Sequence, residues 1–342
     1  MELPPLAWPA YDEGDVFYIL DETRLPEEKV YIKAGSYRDA ALAIGGMQTR
    51  AFGQVLTLFY AFLITARQNR GGKPEEVISL LRAAARALEQ SRPTFAFKDL
   101  SGKVMAWAER ARAEGKDISS FLEGQILAFL EHLKGLRVRR AGYAAALIGS
   151  GDAVLTHCNV SGEMVLIGRA CREAGKGVRF YATETRPYFQ GRLTAWELAG
   201  DGFDVTMVPD SAVAGLLCEH RCQLVMVGSD RVALNGDIVN KVGTFQLAVA
   251  ARTFGVPFYA LVQEPGGVAR GEDIPVEERD DKELLAYRGK RVYPEDVRGY
   301  YPAFDMTPAA YITRLITFGG TIEPRELPQA WQKVGKAMRD AE

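Results

Sequence analysis

The feature that most constrains this chain is a change of pattern near Val138. Beyond it, strand-like apolar runs recur at Ala153-Val154-Leu155, Val178-Arg179-Phe180-Tyr181, Asp204-Val205-Thr206-Met207-Val208, Leu224-Val225-Met226-Val227 and Pro257-Phe258-Tyr259-Ala260-Leu261-Val262. Helical stretches separate them, among them Ser161 to Ala174, Arg192 to Leu198 and Val242 to Phe254. Alternation at this interval is the pattern of right-handed βαβ crossovers on a doubly wound, mainly parallel sheet. Such a sheet puts its ligand crevice beyond the carboxyl ends of its strands. The tail from Tyr293 onward is expected to hold an apolar helix about Ile312 and a last strand.

Before Val138 the period is helical. Ala40, Ala41, Ile44 and Met47 fit a repeat near 3.6, as do Val55, Leu58, Phe59 and Phe62, and then Val77, Leu80, Leu81, Ala84 and Leu88. Gly71-Gly72-Lys73-Pro74 breaks two of these helices, with Pro74 set for a first turn. A further apolar-striped helix runs from Ile118 to Leu133. Residues up to Val30, with the run Val16 to Leu20 and the turn Leu25-Pro26-Glu27, read as a small strand cap. A chain of 342 residues is also too long for one small core. The expected organisation is residues 1–137 as a β cap and helical domain, and 138–342 as an α/β domain.

The composition narrows the function classes. A formal net charge of -2 argues against nucleic acid or an anionic membrane as the main partner. Anion binding must then come from locally placed Arg, Lys and backbone N–H groups. The four cysteines, Cys158, Cys171, Cys218 and Cys222, form no C-x-x-C pair, and the chain has three His, so a zinc site is not expected. With no signal-like segment and no long apolar run, free thiols in a reducing cytoplasm are the expectation.

Applying the strand-end rule singles out four short stretches. They are Thr156-His157-Cys158-Asn159, Thr183-Glu184-Thr185-Arg186-Pro187, Gly228-Ser229-Asp230-Arg231 and Gln263-Glu264. A thiol and an imidazole at such a point can serve as nucleophile, acid or base, although a single Cys is also a common small core residue. Asp230 comes after an apolar run and a glycine, so burial in a crevice is expected to raise its pKa and keep it a proton donor. The plainer alternative for Asp230 is an N-cap or an ion pair with Arg231. Asn235 to Thr244 is a glycine-bearing loop with Asn and Lys that leads into a helix, offering donors to a sugar hydroxyl or phosphate. It is also what a simple Asn-Gly turn looks like. In the helical part, Arg50 stands between two helices and Arg92 at a helix end before Pro93, positions suited to clamping an oxyanion or to a solvated helix terminus.

Together these motifs resemble the methylthioribose-1-phosphate isomerase family, which is related to ribose-1,5-bisphosphate isomerase and to the regulatory subunits of translation initiation factor two-B. The resemblance runs from about Trp8 to about Pro324. It is carried by Thr156-His157-Cys158-Asn159, Glu184-Thr185-Arg186-Pro187, Gln190-Gly191 with Leu193 to Leu198, Asp230-Arg231 with Asn235-Gly236-Asp237, Asn240 to Thr244, and Pro302-Ala303-Phe304-Asp305. It implies a helical N-terminal domain and a Rossmann-like C-terminal domain in a cytoplasmic homodimer, and it implies no metal or nucleotide cofactor. Cys158 and Asp230 take the catalytic positions. Arg50, Arg92, Gln190, Asn240 and Lys241 take positions that hold a sugar phosphate, and His157 falls back to a structural neighbour.

The implied reaction belongs to methionine salvage: a 5-substituted ribose 1-phosphate (methylthio or deoxy) becomes the ribulose 1-phosphate. The C1 phosphate ester blocks ordinary ring opening, so an acid must protonate the ring oxygen while the C1–O bond breaks, a task for Asp230. Hydrogen then moves from C2 to C1, either as a proton relayed by Cys158 or as a hydride that Cys158 helps to position. The departures from the family pattern concern the pocket. The usual Arg-Gly-Ala-Pro is Arg50-Ala51-Phe52-Gly53, the usual Ala-Val-Asn-Leu after Arg-Pro-Thr is Phe95-Ala96-Phe97-Lys98, and the Gly-rich segment after Asn159 is missing. An apolar 5-substituent is expected against Phe52, Phe95 or Met164. Two alternatives stand beside this expectation: ribose-1,5-bisphosphate isomerisation, with Lys98 toward a second phosphate, and a non-catalytic regulatory subunit.

Overall fold

The computed structural model describes residues 3–92, 97–265, 267–276, 278–287 and 289–332. The chain divides into two compact units, Met1–Leu136 and Arg137–Glu342. Among the described residues no helix is long and apolar enough to cross a membrane.

The first unit opens with an antiparallel sheet of β1 (Ala10–Glu13), β2 (Val16–Leu20) and β3 (Tyr31–Ala34). Helices α1 (Tyr37–Gly45), α2 (Phe52–Gln68), α3 (Pro74–Ser91) and α4 (Phe97–Ala113) come next. Ser36 caps α1 by accepting the Asp39 N–H, and Pro74 sits in the first turn of α3 ahead of Glu75 and Glu76. Helix α2 is buried on every side from Leu56 to Ala66, the mark of a helix enclosed by its neighbours, and the core of the unit forms around it.

Helix α5 (Ile118–Ala146) is much longer than the stretch to Leu133 expected from its stripe, and it passes through the division between the units. The change of pattern near Val138 therefore falls inside a helix rather than in a linker. Two arginines on its second half, Arg137 and Arg140, are both 1 % exposed. They supply the local reason: their guanidinium groups are buried against Glu163, so that face of the helix is interior although its residues are charged.

The second unit alternates β4 (Ala153–Thr156), α6 (Glu163–Glu173), β5 (Arg179–Thr183), α7 (Gly191–Gly200), β6 (Asp204–Val208), α8 (Val213–Cys218) and β7 (Leu224–Gly228). After β8 (Arg231–Val232) and β9 (Ile238–Lys241) come α9 (Thr244–Thr253) and β10 (Phe258–Leu261). A short hairpin, β11 (Ala286–Tyr287) and β12 (Lys290–Arg291), precedes β13 (Phe304–Thr307), β14 (Arg314–Thr317) and β15 (Gly320–Ile322). The main sheet has seven strands in the order β15-β14-β10-β7-β4-β5-β6, parallel except at the β14–β15 edge. From β4 the order advances through β5 and β6 on one side and continues with β7, β10 and β14 on the other. The reversal between β4 and β7 is the switch point at which a doubly wound sheet opens its crevice. A separate antiparallel sheet, β13-β9-β8, carries the chain beyond β7.

The tail departs from expectation. Ile312 comes after a single 3-10 turn, Ala309–Tyr311, and the chain then adds two strands to the main sheet instead of an apolar helix and one strand. Leu315 and Ile316 are buried, and their short apolar run satisfies its backbone by pairing with β10.

Candidate active site

Cys158 and Asp230 lie just past β4 and β7, the two strands that flank the switch point. The backbone at Cys158 is left-handed, with φ 67, and so is that of Thr185 on the neighbouring loop, with φ 61. A β-branched threonine rarely adopts this conformation, and such strain persists only where surrounding bonds enforce it. Here the Cys158 N–H donates to Thr185 Oγ1 at 2.9 Å, and Thr194 Oγ1 donates to the Cys158 carbonyl at 2.8 Å. Asp210 in turn accepts from the N–H groups of Thr185 and Arg186, at 2.8 Å each. Cys158 is 8 % exposed, and its thiol donates to Gln190 Oε1 at 2.9 Å. Gln190 can take that position because Gly191 stands next to it: an added Cβ there would lie 1.7 Å from the Thr183 carbonyl oxygen. An amide suits a titrating sulfur, since its oxygen accepts from a thiol and its NH2, after rotation, donates to a thiolate.

His157 is a clamp. Its Nε2 meets the Val242 carbonyl at 2.9 Å, which only accepts, so Nε2 carries the proton and Nδ1 accepts from Thr183 Oγ1 at 2.6 Å. Burial holds its pKa below the ordinary histidine value, so the ring stays neutral. The loop beyond Cys158 is fastened too. Arg137 Nη2 donates to the Ser161 carbonyl at 2.5 Å, and Glu163, the first residue of α6, receives Arg140 Nε at 2.9 Å.

Asp230 corrects one expectation. It is exposed, because it lies in the turn where the chain leaves β7 for β8, past the end of the apolar run. Its N–H donates to the Val239 carbonyl at 2.9 Å, which sets it beside Asn240 on the antiparallel ladder. Asn240 and Lys241 are 6 % and 7 % exposed. Asn240 Nδ2 donates to Thr244 Oγ1 at 2.9 Å, and the Lys241 ammonium lies 4.6 Å from the centre of the Phe304 ring and 6.0 Å from that of Tyr301.

In the glycine-bearing loop, Asn235 and Asp237 follow the plainer reading of an Asn-Gly turn. Asp237 accepts from Ala309 N at 2.8 Å and Gly271 N at 3.1 Å, and Asn235 binds Asp237, so these groups are taken up in holding the turn. At the start of α9 the Gly243 and Phe245 N–H groups donate to Asp305, in the place expected for a phosphate. Burial pushes the Asp305 carboxyl up to about 6, against the lowering effect of those N–H groups and of Lys241.

In the first unit, Arg50 and Arg92 join one polar cluster. The Arg50 N–H donates to Glu22 Oε1 at 2.8 Å and Thr49 Oγ1 to the same oxygen at 3.3 Å. Arg92 Nη1 donates to Gln54 Oε1 at 2.6 Å, and Gln54 Nε2 donates to the Thr49 carbonyl at 2.8 Å. Met47 and Ala51, on either side of Arg50, have φ values of 54 and 41. Gly53 is required there, since an added Cβ would stand 2.1 Å from Thr49 Oγ1. Glu22 is fully buried, and desolvation pushes its carboxyl up to about 7 in spite of the Arg50 charge and N–H.

Of the residues expected against an apolar substituent, Met164 is buried and Phe52 is half-buried 5.6 Å from the Trp8 ring, while Phe95 lies outside the described residues. Phe97 belongs to the helical core and is not a pocket residue. Sequence reasoning missed Glu22, the buried arginines and Tyr301, and it singled out the stretch that holds Thr185 without assigning that hydroxyl a role. Tyr301 is 3 % exposed, and its hydroxyl finds no partner among the described residues, a state that costs about 1–3 kcal/mol in a folded interior. Its one sequence signal is its place directly before Pro302-Ala303-Phe304-Asp305.

Residues 52–324 match the family model described as the initiation factor 2 subunit family. A methylthioribose-1-phosphate isomerase of Desulforudis audaxviator is 39% identical over 94% of this chain and 96% of its own length. One from Pelotomaculum thermopropionicum is 41% identical over 90% and 88%. Among solved structures, 5-methylthioribose 1-phosphate isomerase from Pyrococcus horikoshii superposes with a TM-score of 0.85 at 27% identity, over 98% of this chain and 99% of that one. The translation initiation factor eIF-2B subunit delta from A. fulgidus gives 0.82 at 31% identity, over 97% and 100%. The chain thus belongs to the initiation factor 2 subunit family and, within it, to the methylthioribose-1-phosphate isomerase family.

Proposed function

We propose that this chain converts 5-methylthioribose 1-phosphate to 5-methylthioribulose 1-phosphate, with Cys158 and Asp230 as its catalytic groups. The observation that carries this reading is the Cys158 thiol, held on a strained backbone at the switch point and paired with the Gln190 amide. A scaffold has no use for a nucleophilic sulfur bolted in place by its backbone N–H and carbonyl. Asp230 gives a proton to the ring oxygen as the C1–O bond breaks. Hydrogen moves from C2 to C1, and the proton lost from the C2 hydroxyl restores Asp230, so C1 is reduced, C2 is oxidised and no external electron carrier is consumed. Bound substrate supplies the desolvation that Asp230, exposed in the turn after β7, does not get from the fold. Arg50 and Arg92 bind the phosphate, and Gln190, Asn240 and Lys241 bind the sugar phosphate beside the sulfur.

The test is a ketose-formation assay on 5-methylthioribose 1-phosphate, 5-deoxyribose 1-phosphate and ribose 1,5-bisphosphate. Wild type should prefer the first, and Cys158→Ser and Asp230→Asn should each lose about 1,000-fold or more in kcat with an unchanged thermal midpoint. Inactivity of the wild type on all three substrates would favour the regulatory-subunit reading, to which the likeness to eIF-2B subunit delta lends weight. We propose further that the protein is a cytoplasmic homodimer. Light scattering checks the dimer, and the free thiol state of Cys158, Cys171, Cys218 and Cys222 fits a reducing compartment.

A further inference from the structure

We propose that the Tyr301 hydroxyl is a hydrogen-bond donor to the substrate, directed at the C2 sugar oxygen from which a proton leaves. The inference rests on the isomerase reading and adds a residue to it. Three observations converge. The hydroxyl is buried without a partner among the described residues, although natural interiors pair nearly all such groups. The ring lies among site residues: the Lys241 ammonium is 6.0 Å from its centre, and Tyr188, two positions before the Gln190 that pairs with Cys158, meets it edge-on at 6.3 Å. The neighbouring Tyr188 shows what a structural tyrosine looks like here, since its hydroxyl donates to Glu283. Tyr301 makes no such bond among the described residues.

Backbone contacts fix the position of the ring. The Arg279 N–H donates to the Tyr301 carbonyl at 3.0 Å, and Glu278 bridges to Pro302. Burial, with the nearby Tyr188, Glu283 and Cys158, holds the phenol protonated well above neutral pH, against the opposing charge of Arg279. A fixed, protonated donor near Lys241 is suited to an oxygen on which charge develops, where it needs no reorganisation during the step.

Tyr301→Phe keeps the ring and removes only the hydroxyl. The expected result is a fall of about 100-fold in kcat/KM for 5-methylthioribose 1-phosphate, carried mainly by kcat. The thermal midpoint should stay level or rise, because an unmatched buried hydroxyl is gone. Tyr188→Phe, in the same measurement, should lower the midpoint. Wild-type kcat/KM in Tyr301→Phe would overturn the proposal, as would a drop in its midpoint matching that of Tyr188→Phe, which would reveal a structural bond. A wild type inactive on every sugar phosphate would remove the isomerase reading and this inference together. An active wild type with an equally active Tyr301→Phe removes this inference alone.

Discussion

The loop around Arg50 and the loop around Cys158 solve the same problem by different means. Both hold a polar side chain on left-handed backbone at non-glycine positions, Met47 and Ala51 in one, Cys158 and Ser161 in the other. The Arg50 loop leans on one buried carboxylate, Glu22, whose pKa burial has pushed to about 7. The Cys158 loop is held by the Cys158 N–H donating to Thr185, by Thr194 donating to the Cys158 carbonyl, by His157 donating to the Val242 carbonyl and by the buried ion pair of Glu163 with Arg140. A support whose carboxyl burial has pushed up to about 7 makes its loop sensitive to pH near neutrality. The difference separates a loop held by a carboxylate that burial has pushed up to about 7 from a loop held mainly by hydroxyl, imidazole and backbone groups.

Three substitutions can break or sharpen that contrast. The largest effect is expected from Glu163→Ala, which leaves Arg140 and Arg137 buried beside a lost carboxylate. Stability should fall by about 3–5 kcal/mol in urea unfolding, and a loss under about 1 kcal/mol would show that the ion pair does not hold the Cys158 loop.

Next comes Glu22→Gln. The Glu22 carboxyl sits at about 7 against 4.5 for the free group, so the unfolded chain ionises first. Its contribution to stability is therefore fully present below pH 4.5 and is lost as pH rises toward 7, by roughly 3 kcal/mol at most. Gln has no charge to bury, so the variant should gain on wild type across that window and run parallel above it. Asp305 has the same sign but is present in both proteins, so it drops out of the difference. Parallel curves from about pH 4 to 8 would mean that Glu22 is not the titrating support.

The smallest effect is expected from Thr185→Ala. It removes the acceptor of the Cys158 N–H and should cost about 1–2 kcal/mol, with about a 10-fold fall in kcat as the sulfur loses its placement. Unlike Glu22→Gln, this change removes no titrating group, so both of its effects should be flat with pH between about 5 and 8. A pH-dependent loss at Thr185 would erase the distinction between the two loops.

Much of this is legible along the chain. The apolar runs at Ala153, Val178, Asp204, Leu224 and Pro257 all form strands of one sheet, the Asp204 strand as its mostly exposed edge, because a parallel strand needs only a short β-prone segment and leaves that mark in local sequence. Cys158 and Asp230 stand out because each lies just past the end of such a run. The failures are also local in origin. Periodicity cannot see that α5 continues past Leu133, since Arg137 and Arg140 look like solvent-facing charges until Glu163 is folded against them. The apolar run before Asp230 suggests shelter for the carboxyl, yet its exposure is set by the turn geometry after Gly228.

What the sequence by itself determined is therefore the set of elements and the residues delivered to their ends, both consequences of side-chain period and of the strand–helix alternation. Only the tertiary structure decided that β4 lies between β7 and β5, which makes their ends the crevice. It also decided that Glu22 supports Arg50 and that Tyr301 sits unpartnered among the described residues near Lys241. The physical reason is the same in each case. Burial and hydrogen-bond partnership are properties of side chains brought together from distant parts of the chain, and no local pattern records them.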